Sequence, residues 1–376
     1  MPTLTLIAEQ LLGPVPGGTG RYTAEIGRAL AATAPDGWRL DAVTAWHRDT
    51  APARIDGVAG PRRLPVDRRA LAELWSRGLP PRVSPDGSVH APTPLAPARR
   101  GAPLVAMVHD AVPWTHPETL TPRGVSWHRR AVGRLVRDAD AILAPSQAVA
   151  GVLDELFTLG ERLHVIPHGY TGLPLPDPAE LDAARARLGL PERYVLSVAT
   201  LEPRKGLDVL VRAFAQAPLA RPGDGAAGPV LVLAGQAGWG ELSIPRLAEQ
   251  AGVPPERIRV LGRVSDADLA VAVHGAAAVA VPSRAEGFGL PVLEAMGAGK
   301  PVVHSDIEVL NEVAAGAGVA VPVGDHAALA QALAGVLDDA DAAQQRAAAG
   351  RRRAAEFSWT TAAERTWAVH RSLLPG

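Results

Sequence analysis

The chain has 376 residues, too many for one ordinary domain and enough for two that each bury a core. Hydrophobic residues make up 47% and charged residues 20%, and the net charge is −1, which excludes a disordered chain and the overall basic field of a nucleic-acid binder. The absence of cysteine excludes disulfides, thiolate metal sites and cysteine nucleophiles.

Leu4 to Ala8 reads as a short strand running into Pro14-Val15-Pro16-Gly17-Gly18-Thr19-Gly20, a glycine loop before a helix from Tyr22 to about Ala32. Such a loop lets backbone approach an anion or a sugar, but Gly17, Gly18 and Gly20 lack the register of a dinucleotide fingerprint, and a plain turn fits as well. Trp38 to Trp46 supplies a second strand, and residues 50 to 102, rich in Arg, Pro and Gly, read as variable loops and short helices. Pro103 to Val108 is a buried strand ending in His109-Asp110. Open α/β sheets place ligand contacts at that end of a strand, while a histidine satisfied by its neighbour is the plain alternative.

A helix from Arg123 to Arg137 carries Arg130, Arg134 and Arg137 on one face, which suits an acidic acceptor, an anionic lipid surface or simply water. The strand Ala139 to Ala144 leads through Pro145-Ser146 to a helix from Ala148, and another strand ends near His164 to His168. Pro167 prevents the helix that would make those two histidines a metal pair. The triplets Asp138/Asp140, Asp266/Asp268 and Asp339/Asp341 are expected to be structural, the second as a helix N-cap.

Residues 171 to 192, with Pro174, Pro176 and Pro178, read as a linker, after which the same grammar restarts. The strand Tyr194 to Ala199 is followed by Arg204-Lys205-Gly206 and a helix to Phe214, then by strands near Val230 to Ala234 and Ile258 to Leu261, the turn Gly262-Arg263-Val264 and a helix from Asp266. Strands alternating with helices imply parallel sheets covered on both faces, and two such halves imply a ligand cleft between them. Only Lys205 and Lys300 among 38 basic residues are lysine, so Lys205 stands out where a compact point charge is needed.

The richest stretch runs from Ala276 to Met296. An apolar strand ends at Pro282-Ser283, a glycine turn follows at Gly287-Phe288-Gly289, and Pro291 stands where a helix would begin. The first N–H groups of such a helix are unpaired and its dipole is positive there, so a diphosphate or sugar hydroxyl can dock on backbone. Glu286 precedes the helix and Glu294 lies about one turn inside it, so the two reach different parts of one elongated ligand. Solvated acids on a capped surface helix are the plain alternative.

Together, Glu286-Gly287-Phe288-Gly289-Leu290-Pro291-Val292-Leu293-Glu294, Arg204-Lys205-Gly206, Gly262-Arg263-Val264, His109-Asp110 and Gly17-Gly18 resemble the family 4 retaining glycosyltransferases, from the first strand to Phe357-Ser358-Trp359. The resemblance implies an α/β GT-B fold, two Rossmann-like doubly wound domains facing a central cleft. It implies an acceptor domain at 1–172, with a C-terminal helix at about 358–376 packing back on it, and a donor domain at 173–357. The implied reaction moves a hexose from a nucleotide-diphosphate sugar to a hydroxyl of a glycan, lipid-linked or small-molecule acceptor, with retention and with no metal or other cofactor. GDP-mannose is favoured by the His109-Asp110 strand end and Ala144-Pro145-Ser146, with UDP-glucose, UDP-N-acetylglucosamine and dTDP- or GDP-deoxysugars as alternatives.

By position in the resemblance, Arg204 and Lys205 correspond to the pair on the donor diphosphate, Glu286 to the sugar-facing acid and Glu294 to the ribose anchor. Gly287, Phe288, Gly289 and Leu290 correspond to backbone contacts with sugar and phosphate, and Arg263 and Val264 to the base site. His109 corresponds to a sugar contact, and Gly17-Gly18 to a loop closing over the phosphates. No leader pattern or long apolar run is seen, so a cytoplasmic protein is expected, with the inner membrane face as a further place of peripheral contact. An NAD-dependent oxidoreductase and a non-catalytic carbohydrate-binding relative of the same fold are the rival readings.

Overall fold

Runs such as Leu104-Val105-Ala106-Met107 and Val230-Leu231-Val232-Leu233-Ala234 present apolar side chains on both faces, which only a strand covered on both sides can bury. The computed structural model describes residues 1–83, 86–99, 101–174, 177–220, 228–240 and 242–374, so parts of the expected 50–102 loops, of the 171–192 linker and of the C-terminal end lie outside the described residues. The chain divides into two units, Met1–Gly169 with Phe357–Gly376, and Tyr170–Glu356.

The first unit holds β1 (Thr3–Ile7), β2 (Arg39–Thr44), β3 (Ala59–Arg63), β4 (Ser88–Ala91), β5 (Leu104–Met107), β6 (Ala141–Ala144) and β7 (Leu163–Val165). They form one sheet in the order β3-β2-β1-β4-β5-β6-β7, and every pairing is parallel. The strand order reverses between β1 and β4, where Leu4 faces Leu40 on one side and Ser88 on the other. Leu4, Ile26, Leu30, Val105, Met107 and Leu143 build the core on one face, joined by Ala363 and Trp367 of the Trp359–Ser372 helix. Trp367 is 2% exposed and donates its indole N–H to the Leu30 carbonyl, which locks that helix against the Gly17–Ala32 helix.

The second unit holds β8 (Tyr194–Val198), β9 (Val230–Ala234), β10 (Ile258–Gly262), β11 (Ala278–Val281), β12 (Val302–Ser305) and β13 (Val319–Val321). Their order is β10-β9-β8-β11-β12-β13, again parallel throughout, with the reversal between β8 and β11. Leu210, Phe214, Leu231, Leu233, Val303, Leu329 and Leu333 form its core. In both sheets the loops that leave the reversal point spread apart, and that is where ligands of doubly wound sheets bind.

Four expectations need correction. Gly17 and Gly18 are not a loop: the helix begins at Gly17, with the Pro16 carbonyl accepting from the Gly20 N–H and from the side chains of Gln10 and Thr19. Tertiary bonds to that carbonyl override the poor helix propensity of glycine. The 50–102 region contains β3, the Arg68–Ser76 helix and the central strand β4, whose Ser88 and His90 are fully buried despite their polarity. The arginine face is structural in part, because Arg134 is buried and donates to the carbonyls of Ala96 and Pro97, and Arg130 reaches Ser76 and Glu73. The cap of the Asp266–Gly275 helix is Ser265, while Asp268 pairs with Arg187.

Candidate functional site

The loop after β8 and the loop after β11 leave the second sheet on either side of its reversal point, and their charged side chains meet. Lys205 Nζ donates to Glu286 Oε1 at 2.7 Å, Arg204 Nη1 to Glu286 Oε2 at 3.3 Å, and Ser283 Oγ to Glu286 Oε1 at 2.6 Å. Arg204 also donates to Glu202 at 2.8 Å and to the Ala285 carbonyl at 2.9 Å. Burial disfavours the charge of Glu286, but the Lys205 ammonium and Arg204 guanidinium, with hydrogen bonds from Lys205 and Ser283, outweigh it and hold the carboxyl at about 2. The ammonium of Lys205 is pushed down by burial and by Arg204, and the Glu286 carboxylate opposes that.

Backbone geometry fixes these two loops on each other. Gly206 has φ +64°, and a Cβ there would lie 2.0 Å from the Pro282 carbonyl oxygen. Only glycine permits that approach. The Arg284 N–H donates to the Arg204 carbonyl, and the Arg284 guanidinium forks onto both Asp208 oxygens at 2.8 Å. Glu202, Ser283, Asp208 and Arg284 were not singled out from the sequence, and the proximity of Asp208 and Ser283 to the two motifs was the available signal.

The Leu290–Gly297 helix starts at Gly289, which has φ +99° and gives no side-chain cap, and Pro291 has no N–H to satisfy. Phe288 is buried and anchors the turn that Gly287 opens. Glu294 is 7% exposed within that helix, and Tyr170, whose hydroxyl is raised by burial first, also feels its charge. Arg263 is exposed and Val264 half-buried in the turn after β10, beside Gly235, whose N–H donates to the Gly262 carbonyl. The structure therefore gathers Arg204, Lys205 and Glu286 into one ion cluster, and sets Arg263, Val264, Gly287, Phe288, Gly289, Leu290 and Glu294 in loops after the strands or in the helix that follows β11.

In the first unit, His109 follows β5 and is 8% exposed. Its Nε2–H donates to the Pro92 carbonyl at 2.7 Å, so Nδ1 carries the lone pair. Burial lowers its basicity, against the hydrogen bond to Pro92 and the charge of Asp110, and keeps the ring neutral near pH 7. Tyr22 packs edge-on against it at 4.8 Å. His109 and Asp110 line a cavity of about 310 Å³ at the reversal point of the first sheet, together with Gln10 after β1, Thr93 after β4 and Thr19 of the first helix. Gly17 and Gly18 are exposed in the first turn of that helix. Among the described residues, no three His, Cys, Asp or Glu side chains gather as a metal site, and no helix is long and apolar enough to cross a membrane.

Two family models match, "Glycosyltransferase Family 4" over residues 16–171 and "Glycosyl transferases group 1" over residues 180–353. The D-inositol 3-phosphate glycosyltransferase 1 of Catenulispora acidiphila is 32% identical, over 96% of this chain and 92% of that protein. The O-antigen chain mannosyltransferase B of Escherichia coli is 30% identical, over 70% of this chain and 68% of that protein. The chain spans between 52% and 58% of the length of four further D-inositol 3-phosphate glycosyltransferases. The crystal structure of Anabaena HepE in complex with UDP-glucose superposes with a TM-score of 0.74 at 21% identity, covering 99% of this chain and 100% of that one. The chain belongs to family 4 of the glycosyltransferases and has their GT-B make-up of two Rossmann-like domains.

Proposed function

We propose that the chain transfers a hexosyl unit from a nucleotide-diphosphate sugar to an acceptor hydroxyl, with retention and without a required metal. The observation that carries this is the Arg204–Lys205–Glu286 cluster at the reversal point of the second sheet. The bond between the anomeric carbon and the β-phosphate oxygen breaks with its electron pair going to the phosphate, and Lys205 and Arg204 offset the growing charge. The acceptor oxygen bonds to the anomeric carbon from the face the phosphate leaves, and its proton passes to the departing phosphate oxygen. Glu286, ionised through the whole working range, accepts hydrogen bonds from sugar hydroxyls and is not a proton donor. Glu294 accepts from the ribose, the N–H groups around Gly289 and Leu290 meet phosphate and sugar, and the turn at Arg263-Val264 meets the base. His109 accepts a sugar hydroxyl at Nδ1, and Gly17-Gly18 cover the phosphates.

GDP-mannose is the favoured donor, in line with the mannosyltransferase among the relatives. UDP-glucose is the second reading, since the similar HepE structure carries that donor. Calorimetry with GDP, UDP and dTDP separates them: GDP is expected to bind most tightly, and no measurable affinity for any of the three overturns the transferase reading. Lys205→Ala is expected to lower turnover about 100- to 1,000-fold, the usual scale for losing one such electrostatic donor, with a much smaller loss of nucleotide affinity. Glu294→Ala is expected to act in the opposite sense, on affinity first.

A further inference from the structure

His168 is a buried imidazole with no part in the proposed transfer, yet its ring centre stands 5.2 Å from that of His109, at an interplanar angle of 73°. The two histidines follow β7 and β5, strands that are not sheet neighbours because β6 runs between them. The hydrogen bond from His109 Nε2 to the Pro92 carbonyl fixes one corner of the His109 ring. The outer torsion of a histidine side chain has broad, roughly two-fold preferences, so that bond alone leaves Nδ1 free to swing. Packing has to set the plane. Tyr22 lies 4.8 Å from His109 at 82°, and the Tyr22 and His168 rings lie 4.6 Å apart, tilted by 36°. His109 therefore meets two rings that both stand nearly perpendicular to it, an arrangement that aromatic pairs prefer.

His168 is itself held from behind. Trp359 stacks on it at 6.1 Å and 17°, and lies 5.8 Å from Tyr22. A Cβ on Gly169 would come 2.3 Å from the Trp359 backbone nitrogen and 2.4 Å from its Cγ, so glycine lets the chain after His168 lie directly on Trp359. Gly169 ends the first pass of the chain through the first unit, and Trp359 opens the helix that follows its return. The ring beside His109 is thus wedged by two segments far apart in sequence. Burial, and after it the nearness of His109, holds His168 well below the ordinary histidine range, so it offers His109 a neutral ring and not a second charge.

We infer that His168 is a positioning residue, which holds the His109 ring in the plane from which Nδ1 accepts the sugar hydroxyl. The inference rests on the transferase reading for the sugar, while the order of the ring is measurable without any substrate. Nitrogen NMR spectra of the full chain labelled at histidine, with His109→Ala to assign the signal, are expected to show His109 as a single tautomer protonated at Nε2. His168→Leu keeps apolar volume but offers no flat ring, and it is expected to average the His109 signal between tautomers. The same variant is expected to lower nucleotide release from GDP-mannose or UDP-glucose about tenfold, less than the roughly 100-fold that a 1 Å misplacement can cost. Nucleotide affinity by calorimetry is expected to stay within about twofold, as for a contact that matters in the transition state. His168→Phe restores a flat ring and is expected to recover the wild-type signal and rate. Circular dichroism checks that the variants fold, and His168→Ala replaces the Leu variant if that one does not. An unchanged His109 signal in the Leu variant, or a Phe variant that behaves as the Leu one, overturns the inference. So does an unaltered rate in the Leu variant where His109→Ala lowers it. If His109→Ala itself leaves the rate unchanged, or neither donor is consumed, the transferase reading of His109 fails, and the nitrogen signal still decides whether His168 holds the ring.

Discussion

Glu286 is a carboxylate whose neighbours decide its state. With its side chain 7% exposed it would resist ionisation, yet two cations and the Ser283 hydroxyl keep it charged. Its folded pKa lies below the unfolded value, so the stability it contributes is full above about 4.5 and is lost as pH falls toward about 2. Glu286→Gln leaves Lys205 and Arg204 half-compensated and is expected to cost about 3 kcal/mol, the lower end for breaking a buried ion pair because the amide keeps some hydrogen bonds, as read by urea unfolding. The motifs marked Arg204, Lys205 and Glu286 in the sequence, but their mutual contact was not legible there. It depends on β8 and β11 being sheet neighbours although 83 positions separate the paired residues Val195 and Ala278.

Among elements, the turn after β8 is held against Pro282 by a glycine, and Gly206→Ala is expected to destabilise the second unit by about 3 kcal/mol through the clash, measurable by thermal unfolding. A different device fastens the Trp359–Ser372 helix. Ser88 Oγ meets His370 Nδ1 at 2.9 Å, and His370 Nε2 meets His90 Nδ1 at 3.2 Å, all buried. Burial lowers both histidines, His90 to about 3. The unfolded chain therefore takes up protons that the folded one refuses, so stability is full above about 6.5 and declines as pH falls from there toward 3. His90→Leu is expected to reduce that decline by about 1.4 kcal/mol per pH unit, checked by denaturant midpoints across the range. Long apolar strands such as β5 and β9 were legible from their runs. β4 was not, because Ser88-Val89-His90-Ala91 mixes polar residues whose partners lie at the far end of the chain.

For the whole molecule, the first unit is discontinuous: the chain leaves it after Gly169 and rejoins it at Phe357. Ending the chain at Glu356 removes Ala363, Trp367 and Val369 from the first core, and loss of a buried tryptophan alone costs about 3–5 kcal/mol. Such a truncated protein is expected to lose protease resistance across residues 1–169 while residues 170–356 remain resistant, a pattern that limited proteolysis with mass spectrometry reads directly. Alternating strands and helices made two Rossmann-like halves legible in the sequence, and Phe357-Ser358-Trp359 hinted at the return, but the pairing of Trp367 with Leu30 crosses 337 positions and leaves no local trace.

That return sets an order on biosynthesis. The ribosome makes the seven described strands of the first unit before any described strand of the second, yet the helix that closes the first core emerges after all of them. Completion therefore inverts synthesis: the second unit has all its residues while the first still waits for its final helix. A nascent chain interrupted anywhere before Phe357 lacks Ala362, Ala363, Trp367 and Val369, so it carries a first unit whose core is unfinished.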